Sequence, residues 1–532
     1  MPNDIDTPQT LNSKKIDRSG AVAAPRALIV LAVSAVVLVG IAQRIFVTSS
    51  LWLDEALTVN IARVPIGSLV GTLKVDGAPP LYYLLLHFWM NVFGEGDTAV
   101  RALPALLGIL SLPLAFFAGK KAIASDGRRA RELGWMVLLL VAASPYAIRY
   151  SSENRMYVLV IDLVLLGYIF FSSVLVRPSY GSLIGISLVT GALLYTNYWC
   201  LYLVVVVGVV TLWRSLKAPA DELRTARRIL GSIVVGVLLF LPWLPIFEYQ
   251  RLHTGTPWGT AIAPTVGFAY TIFDFAAFGV SLSEGWPLAG LLLLLALIAL
   301  FGTVMGDQLI IINIRTVSGA RWEWAIGMIA LGLGLGVAYA SGSAFQTRYA
   351  AMCYPFYVLS VGMGLMLIPD RRFRYGFLAL AITLGFFSGL VNARTDRTQA
   401  TQVADVLIRD SRPGDVVGFC PDQLGPATAR LLASTKSLGL YAFPDMQSPQ
   451  LIDWTDYALR NSRSNAEKYA RALLAKGGSN DVWFVWAGGY RTFGIKCERV
   501  VNELARLRGN REIVITAKPK FYEHMGLDRY RP

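Results

Sequence analysis

The chain is poor in charge. Only 16% of its 532 residues are Asp, Glu, Lys or Arg, against 55% hydrophobic. So low a share excludes an ordinary soluble domain of this size, and a disordered chain still more firmly. Histidine is nearly missing: His87, His253 and His524 stand alone in the sequence. Cysteine is scarce as well, limited to Cys200, Cys353, Cys420 and Cys497, with no CxxC pair. A zinc or iron–sulfur centre of the usual spacing is thereby excluded. Acidic residues number 35 against 49 basic ones, a formal charge of +14. That excess does not call for nucleic acid. The basic residues fall mostly in short loops between apolar runs and in the C-terminal stretch, and membrane orientation accounts for the loops.

What the chain has in abundance is long apolar runs, with a mean hydropathy of +0.51. Residues 1–26 are polar and hold Lys14, Lys15, Arg18 and Arg26, so they read as a cytoplasmic tail rather than a signal peptide. The run that follows is long enough to span and stay as an anchor. Spans are predicted at about 27–48, 99–119, 133–149, 157–175, 181–196, 198–213, 229–247, 287–304, 323–341, 351–369 and 375–391, eleven in all. Charge sets the orientation. Lys120, Lys121, Arg128, Arg129 and Arg131 fall in one class of loop, as do Arg214, Lys217, Arg224, Arg227 and Arg228, and later Arg371, Arg372 and Arg374. The loop 49–98 belongs to the other class and is net acidic. This pattern predicts the N-terminus inside and the C-terminus outside. The apolar run after Pro79-Pro80 breaks that alternation if counted as a span, so it is predicted to be a helix lying at the outer surface.

Residues 27–392 thus form a transmembrane domain, and 393–532 change character. A turn at Arg412-Pro413-Gly414-Asp415 precedes the β-like run Val416–Phe419. Two more such runs lie at Asp481–Trp486 and Glu512–Ile515, with helical patterns near 398–410, 425–434 and 463–475. Alternating strands and helices predict a small extracytoplasmic α/β domain. Cys420 and Cys497 both lie in it and are able to pair if it is outside the cytoplasm.

Unusual polar residues gather at the predicted outer face. Asp54 and Glu55 end the first apolar stretch, Arg101 opens the second span, and Arg149, Glu153, Asn154 and Arg155 lie between spans three and four. Arg348 and Tyr349 follow span nine. Each has a bland explanation. Arg101 and Arg149 are long enough to snorkel, Arg149 to pair with Glu153, and Glu153 with Arg155. Asp54 and Glu55 suit the N-cap and first turn of a helix starting near Ala56, Asp76 suits the cap of the helix after Pro79, and Arg348–Tyr349 suits an interface anchor. Taken together, two carboxylates and several arginines on the side where positive charge is disfavoured suggest more. Guanidinium groups match phosphate oxygens. A carboxylate supplies the base that a weakly nucleophilic hydroxyl needs. Nucleotide sugars are confined to the cytoplasm, so a donor on this face is expected to be lipid-linked.

These residues resemble the GT-C superfamily of integral-membrane glycosyltransferases, in the group related to protein O-mannosyltransferases and lipid A aminoarabinose transferases. Trp52-Leu53-Asp54-Glu55 resembles the acidic motif after the first span. Ala78-Pro79-Pro80-Leu81-Tyr82-Tyr83 resembles the proline motif of the first outer loop, with Ala78 where the family commonly has histidine or lysine. Glu153-Asn154-Arg155-Met156-Tyr157 resembles an arginine–tyrosine element, and Arg348-Tyr349, followed by Pro355, resembles the late motif that binds donor phosphate. The resemblance implies transfer of one sugar, mannose or arabinose, from a polyprenyl-phosphate donor with inversion. The acceptor would be a hydroxyl of a cell-envelope glycolipid, polysaccharide or protein. Asp54 would be the base, and Glu55 would orient the acceptor or donor sugar, or support Asp54. Arg155 and Arg348, then Arg101 and Arg149, would hold phosphate. Asp76, Tyr82, Tyr157 and Tyr349 would line the substrate site. Some members use a divalent metal at the acidic motif and others do not, so a metal near Asp54 and Glu55 stays open. The expected setting is a monomer in a bacterial plasma membrane, among membrane lipids and with no nucleic-acid partner. A transporter or flippase of a lipid-linked substrate is the alternative; it would place polar residues near the membrane midplane, where this chain has only scattered ones such as Asp162.

Overall fold

The computed structural model describes residues 26–123, 127–217, 219–256, 259–305, 309–312, 320–433, 435 and 437–532. The polar stretch 1–25 lies outside the described residues. Helix α1 (Arg26–Ile45) leads into a cluster of three shorter helices, α2 (Leu53–Arg63), α3 (Ile66–Asp76) and α4 (Leu81–Phe93). The bundle continues with α5 (Asp97–Lys121), α6 (Gly127–Ala143), α7 (Pro145–Ser151), α8 (Tyr157–Val176), α9 (Tyr180–Thr196), α10 (Cys200–Lys217), α11 (Ala220–Leu238) and α12 (Leu244–His253). It closes with α13 (Pro264–Ala277), α14 (Leu282–Phe301), α15 (Ala320–Ala340), α16 (Tyr354–Leu367) and α17 (Arg371–Arg394). A small antiparallel hairpin, β1 (Gly302–Met305) and β2 (Leu309–Ile312), follows α14.

Nine helical segments among the described residues are long and apolar enough to cross a membrane. A tenth is the pair α6–α7, bent by 62°. The expectation of eleven therefore stands uncorroborated: it also counts α9, whose 17 residues sit at the lower end of spanning length. The predicted run 229–247 crosses a break, because α11 ends at Leu238 and α12 begins at Leu244. The helix after Pro79-Pro80 is present as α4, outside the set of spanning length.

The bend between α6 and α7 has an identifiable cause. Pro145 has no N–H to offer the carbonyl of Val141, four residues back. Arg44, at the end of α1 and 1% exposed, fills the gap. Its Nη2 donates to Val141 O at 2.8 Å, and its Nη1 to Ala142 O at 2.9 Å and to Gly40 O at 2.8 Å. One buried guanidinium thus repairs a broken helix ladder, and the bend turns α7 and the loop after it toward α2. Elsewhere small residues let helices touch. A Cβ on Gly364 of α16 would sit 1.9 Å from the carbonyl oxygen of Leu295 on α14.

Beyond α17 the chain forms α18 (Ala400–Asp410), α19 (Gly425–Leu431), α20 (Tyr457–Arg463), α21 (Ala466–Gly477) and α22 (Lys496–Arg508) around one sheet. Its strands are β3 (Val416–Cys420), β4 (Gly439–Ala442), β5 (Val482–Trp486), β6 (Arg511–Ile515) and β7 (Gly526–Tyr530), in the order β4-β3-β5-β7-β6. The first three pair in parallel and β7 runs antiparallel to both its neighbours. Sequence alternation shows three of these strands. β4 and β7 escape it because β4 is only four residues long and β7 carries Asp528 and Arg529 in its middle. A disulfide joins Cys420 at the end of β3 to Cys497 on α22. The sheet is fastened to the first helices by named contacts. Asn60 Nδ2 donates to Gln450 O at 2.8 Å, Trp454 N to Val75 O at 3.0 Å, and Arg430 pairs with Asp97 at 3.2 Å.

Candidate active site

Asp54 and Glu55 occupy the first turn of α2, where the helix dipole favours acids. Neither caps the helix; Trp52 holds that position without a side-chain bond. The two carboxylates differ sharply. Glu55 has no exposed surface. Arg101 on α5 grips it in a fork, Nε to Oε1 at 2.8 Å and Nη2 to Oε2 at 2.6 Å. The backbone N–H of Asn154 donates to Oε1 at 2.9 Å, and Arg397 Nη1 lies 3.5 Å from Oε2. Burial alone would raise the Glu55 pKa; the charges of Arg101 and Arg397 and these hydrogen bonds overcome it and hold the carboxyl below its ordinary range. Asp54 keeps 20% of its side chain exposed and, among the described residues, forms one ion pair, with Arg348 Nη2 at 3.3 Å.

Arg348 stands between the rings of Trp52 and Tyr349, 5.6 and 5.8 Å from their centroids. Tyr349 stacks on Trp199 in turn, 5.5 Å between centroids. Arg155 approaches from the other side: its Nη1 donates to Thr58 Oγ1 at 2.7 Å and reaches Asp54 O at 3.5 Å and Tyr83 OH at 3.4 Å. Tyr83 OH donates to Asp76 at 3.1 Å. Burial pushes the Asp76 carboxyl up to about 6, so it is mostly ionised at neutral pH. Tyr82 OH donates to Asn154 Oδ1 at 2.9 Å.

The structure therefore brings together Asp54, Glu55, Asp76, Arg101, Arg155 and Arg348, and holds them in different ways. Arg101 is committed to Glu55 and to the carbonyls of Ser49 and Ser50. Arg149 pairs with Glu153 at 2.8 Å, one helical turn away, and lies over the ring of Phe278. Tyr82 and Tyr157 are 1% exposed. Arg155 and Arg348 each keep a buried Nε with no partner among the described residues. Those spare donors flank Asp54.

Two participants were not found from sequence. Arg397, 3% exposed, bridges Glu55 at 3.5 Å and Glu153 at 3.7 Å. Glu523, from the segment before β7, accepts the N–H of Leu53 at 3.3 Å. No local pattern marks either residue. Their partners lie hundreds of positions earlier, and only the fold brings them close.

A divalent metal does not fit the donor set. Both Glu55 oxygens already accept from Arg101, and Asp54 faces Arg348. Among the described residues no group of three or more His, Cys, Asp or Glu side chains is placed to hold a metal ion.

No family model matches the chain, and no curated protein matches it. Solved structures do. ArnT from Cupriavidus metallidurans bound to undecaprenyl phosphate superposes with a TM-score of 0.57 at 12% identity, over 95% of this chain and 98% of that one. The same protein in the apo state gives the same figures. An oligosaccharyltransferase of Archaeoglobus fulgidus in complex with Zn and sulfate reaches 0.48 at 12% identity, over 85% of this chain and 67% of that one. The chain thus shares the fold of that ArnT structure over nearly its whole length and is built as a multi-pass membrane protein.

Proposed function

We propose that the protein is a polyprenyl-phosphate-dependent glycosyltransferase working at the face of the membrane that carries Asp54. One observation carries the reading: a count of charge in the connected network. Arg101, Arg149, Arg155, Arg348 and Arg397 are joined through ion pairs and hydrogen bonds to Asp54, Glu55, Glu153 and Asp76. Among the described residues of this network five guanidinium groups meet four carboxylates, one positive charge more than the acids match, beside Asp54. A polyprenyl-phosphate sugar is a phosphodiester with one negative charge. The spare N–H donors of Arg155 and Arg348 suit its oxygens.

In this reading Asp54 takes the proton of an acceptor hydroxyl. The acceptor oxygen forms a bond to the anomeric carbon as the bond from that carbon to the phosphate oxygen breaks. The electron pair leaves with polyprenyl phosphate, whose new charge falls on Arg155 and Arg348. Attack opposite the leaving group inverts the anomeric centre. Glu55 and Arg101 hold the first turn of α2 in place, the supporting role among those open to Glu55. Arg149 and Arg397 brace the loop that presents Arg155. Asp76 and the Tyr82, Tyr157 and Tyr349 rings form walls of the substrate site. No metal takes part in any step. Mannose or arabinose is the favoured sugar, and the acceptor is a glycolipid, polysaccharide or protein of the cell envelope. A bacterial plasma membrane, with residues 27–392 as catalytic domain and 393–532 on the outer side, is the setting that best suits a lipid-linked donor and a disulfide.

Purified protein incubated with a panel of radiolabelled polyprenyl-phosphate sugars and membrane extract should label one acceptor class from one donor. A protein that moves labelled lipid between leaflets with no product formed would favour the flippase reading instead.

A further inference from the structure

Glu523 has no place in the chemistry above, yet the fold spends much to bring it there. It is 3% exposed. Its backbone is pinned on both sides, its N–H donating to Arg397 O and its carbonyl accepting from Gln399 N, both at 2.9 Å. Its neighbour Tyr522 meets Trp52 edge-on with centroids 5.1 Å apart, and Trp52 is the ring under Arg348. The carboxyl reaches the start of α2, where Oε2 accepts the N–H of Leu53. The other oxygen, Oε1, is buried and has no hydrogen-bond partner among the described residues. The Thr398 hydroxyl and the Leu53 N–H favour an ionised carboxylate, yet with one oxygen unpaired at this depth the charged form is costly and a protonated one far less so.

We propose that Glu523 is a positioning residue of this site: its uncharged carboxyl holds the first turn of α2, and with it Asp54, while leaving the one surplus positive charge of the arginine–carboxylate network free for the donor phosphodiester. The inference rests on the lipid-phosphate reading for its second half only. The charged and titratable groups around Glu523 are few. Asp54 faces it from α2 and Tyr490 from the outer domain; Tyr522 and His524 flank it in the chain; Arg348 lies beyond Trp52; Arg397 presents its backbone. No cation pairs with it among the described residues, and Asp54 opposes its ionisation. Burial outweighs the hydrogen bonds from the Thr398 hydroxyl and the Leu53 N–H and, with Asp54 adding to it, pushes the carboxyl up to about 8, so the group is mostly neutral at neutral pH.

The consequence is a signed pH effect. Above pH 8 a fifth carboxylate charge appears and cancels the surplus. Donor binding should then weaken while chemistry on bound donor changes less. In wild type the donor KM should rise about tenfold between pH 7 and 9.5, a loss near 1.4 kcal/mol. Glu523→Gln keeps an uncharged acceptor for Leu53 and should hold donor KM flat over that range, with kcat at pH 7 within about twofold of wild type. Glu523→Ala drops the contact and should lower kcat at pH 7 about tenfold. A second readout needs no substrate. An unfolded carboxyl titrates near 4.3, so between there and 8 the folded chain binds one proton more than the unfolded chain, and stability falls as pH rises. Wild type should lose thermal stability over pH 5.5–8 relative to Glu523→Gln. Parallel unfolding curves for the two would overturn the neutral carboxyl. A donor KM that rises equally in both, or a Gln variant as slow as Ala at pH 7, would overturn the positioning role. If wild type transfers from no lipid-phosphate donor, the donor reading fails, and the unfolding comparison still decides the protonation of Glu523.

Discussion

Two adjacent carboxylates should answer to mutation in opposite ways. Glu55→Gln removes a charge that is wholly buried and gripped by a forked Arg101, by Arg397 and by the Asn154 N–H. It leaves Arg101, 9% exposed, and Arg397, 3% exposed, without their counter-charge, and turns an amide N–H₂ toward guanidinium donors. Breaking a buried pair on one side costs about 3–5 kcal/mol. Asp54→Asn changes a side chain that is one-fifth exposed and has one ion-pair partner at 3.3 Å. It should cost under about 1 kcal/mol of stability. If Asp54 is the base, it should cut turnover by a factor of about 10² to 10⁴. Thermal unfolding in lipid nanodiscs and steady-state transfer, run on both variants, separate the two effects. Glu55→Gln should unfold well below wild type, and Asp54→Asn should unfold near wild type and be almost inactive. A stable, inactive Glu55→Gln beside an active Asp54→Asn would refute this division of labour and make Glu55 the base.

Further outcomes follow from particular contacts. Arg348→Lys retains a charge but loses the planar fork, so donor KM should rise at least tenfold with acceptor KM little changed; equal rises in both would count against a phosphate contact. Arg44→Met frees the Val141 and Ala142 carbonyls in a buried bend and should destabilise by about 3–5 kcal/mol, which a urea or thermal series in nanodiscs will detect. Reducing the Cys420–Cys497 disulfide reopens a loop of 77 residues and should weaken the C-terminal domain by about 4.5 kcal/mol, visible as faster proteolysis within 393–532 while the bundle resists.

Much of this architecture is legible in the chain because a bilayer imposes long apolar runs. The acidic pair is legible because charge at an apolar boundary is costly. The Arg149–Glu153 pair is legible from its one-turn spacing. The Glu55–Arg101 pair is not, since nothing local distinguishes this arginine from one that snorkels to the headgroups. Glu523 and Arg397 are invisible for a plainer reason. Each acts across several hundred residues, and sequence periodicity reports only on neighbours within an element. The short helix α3 is hard to see, because it packs on the short helices α2 and α12 rather than on a long apolar span.

The contact from Leu53 to Glu523 spans 470 positions. At about 5–20 residues per second, a ribosome needs roughly 25 to 95 s to cover them. During that interval α2 already has Arg101, 46 residues on, and then Asn154, 99 residues on, but lacks its last support. On that schedule Arg101 and Asn154, the partners of Glu55, are made long before Glu523, the partner of Leu53. A nascent chain inserted in the membrane would carry its arginines and acids in place well before it was able to use them.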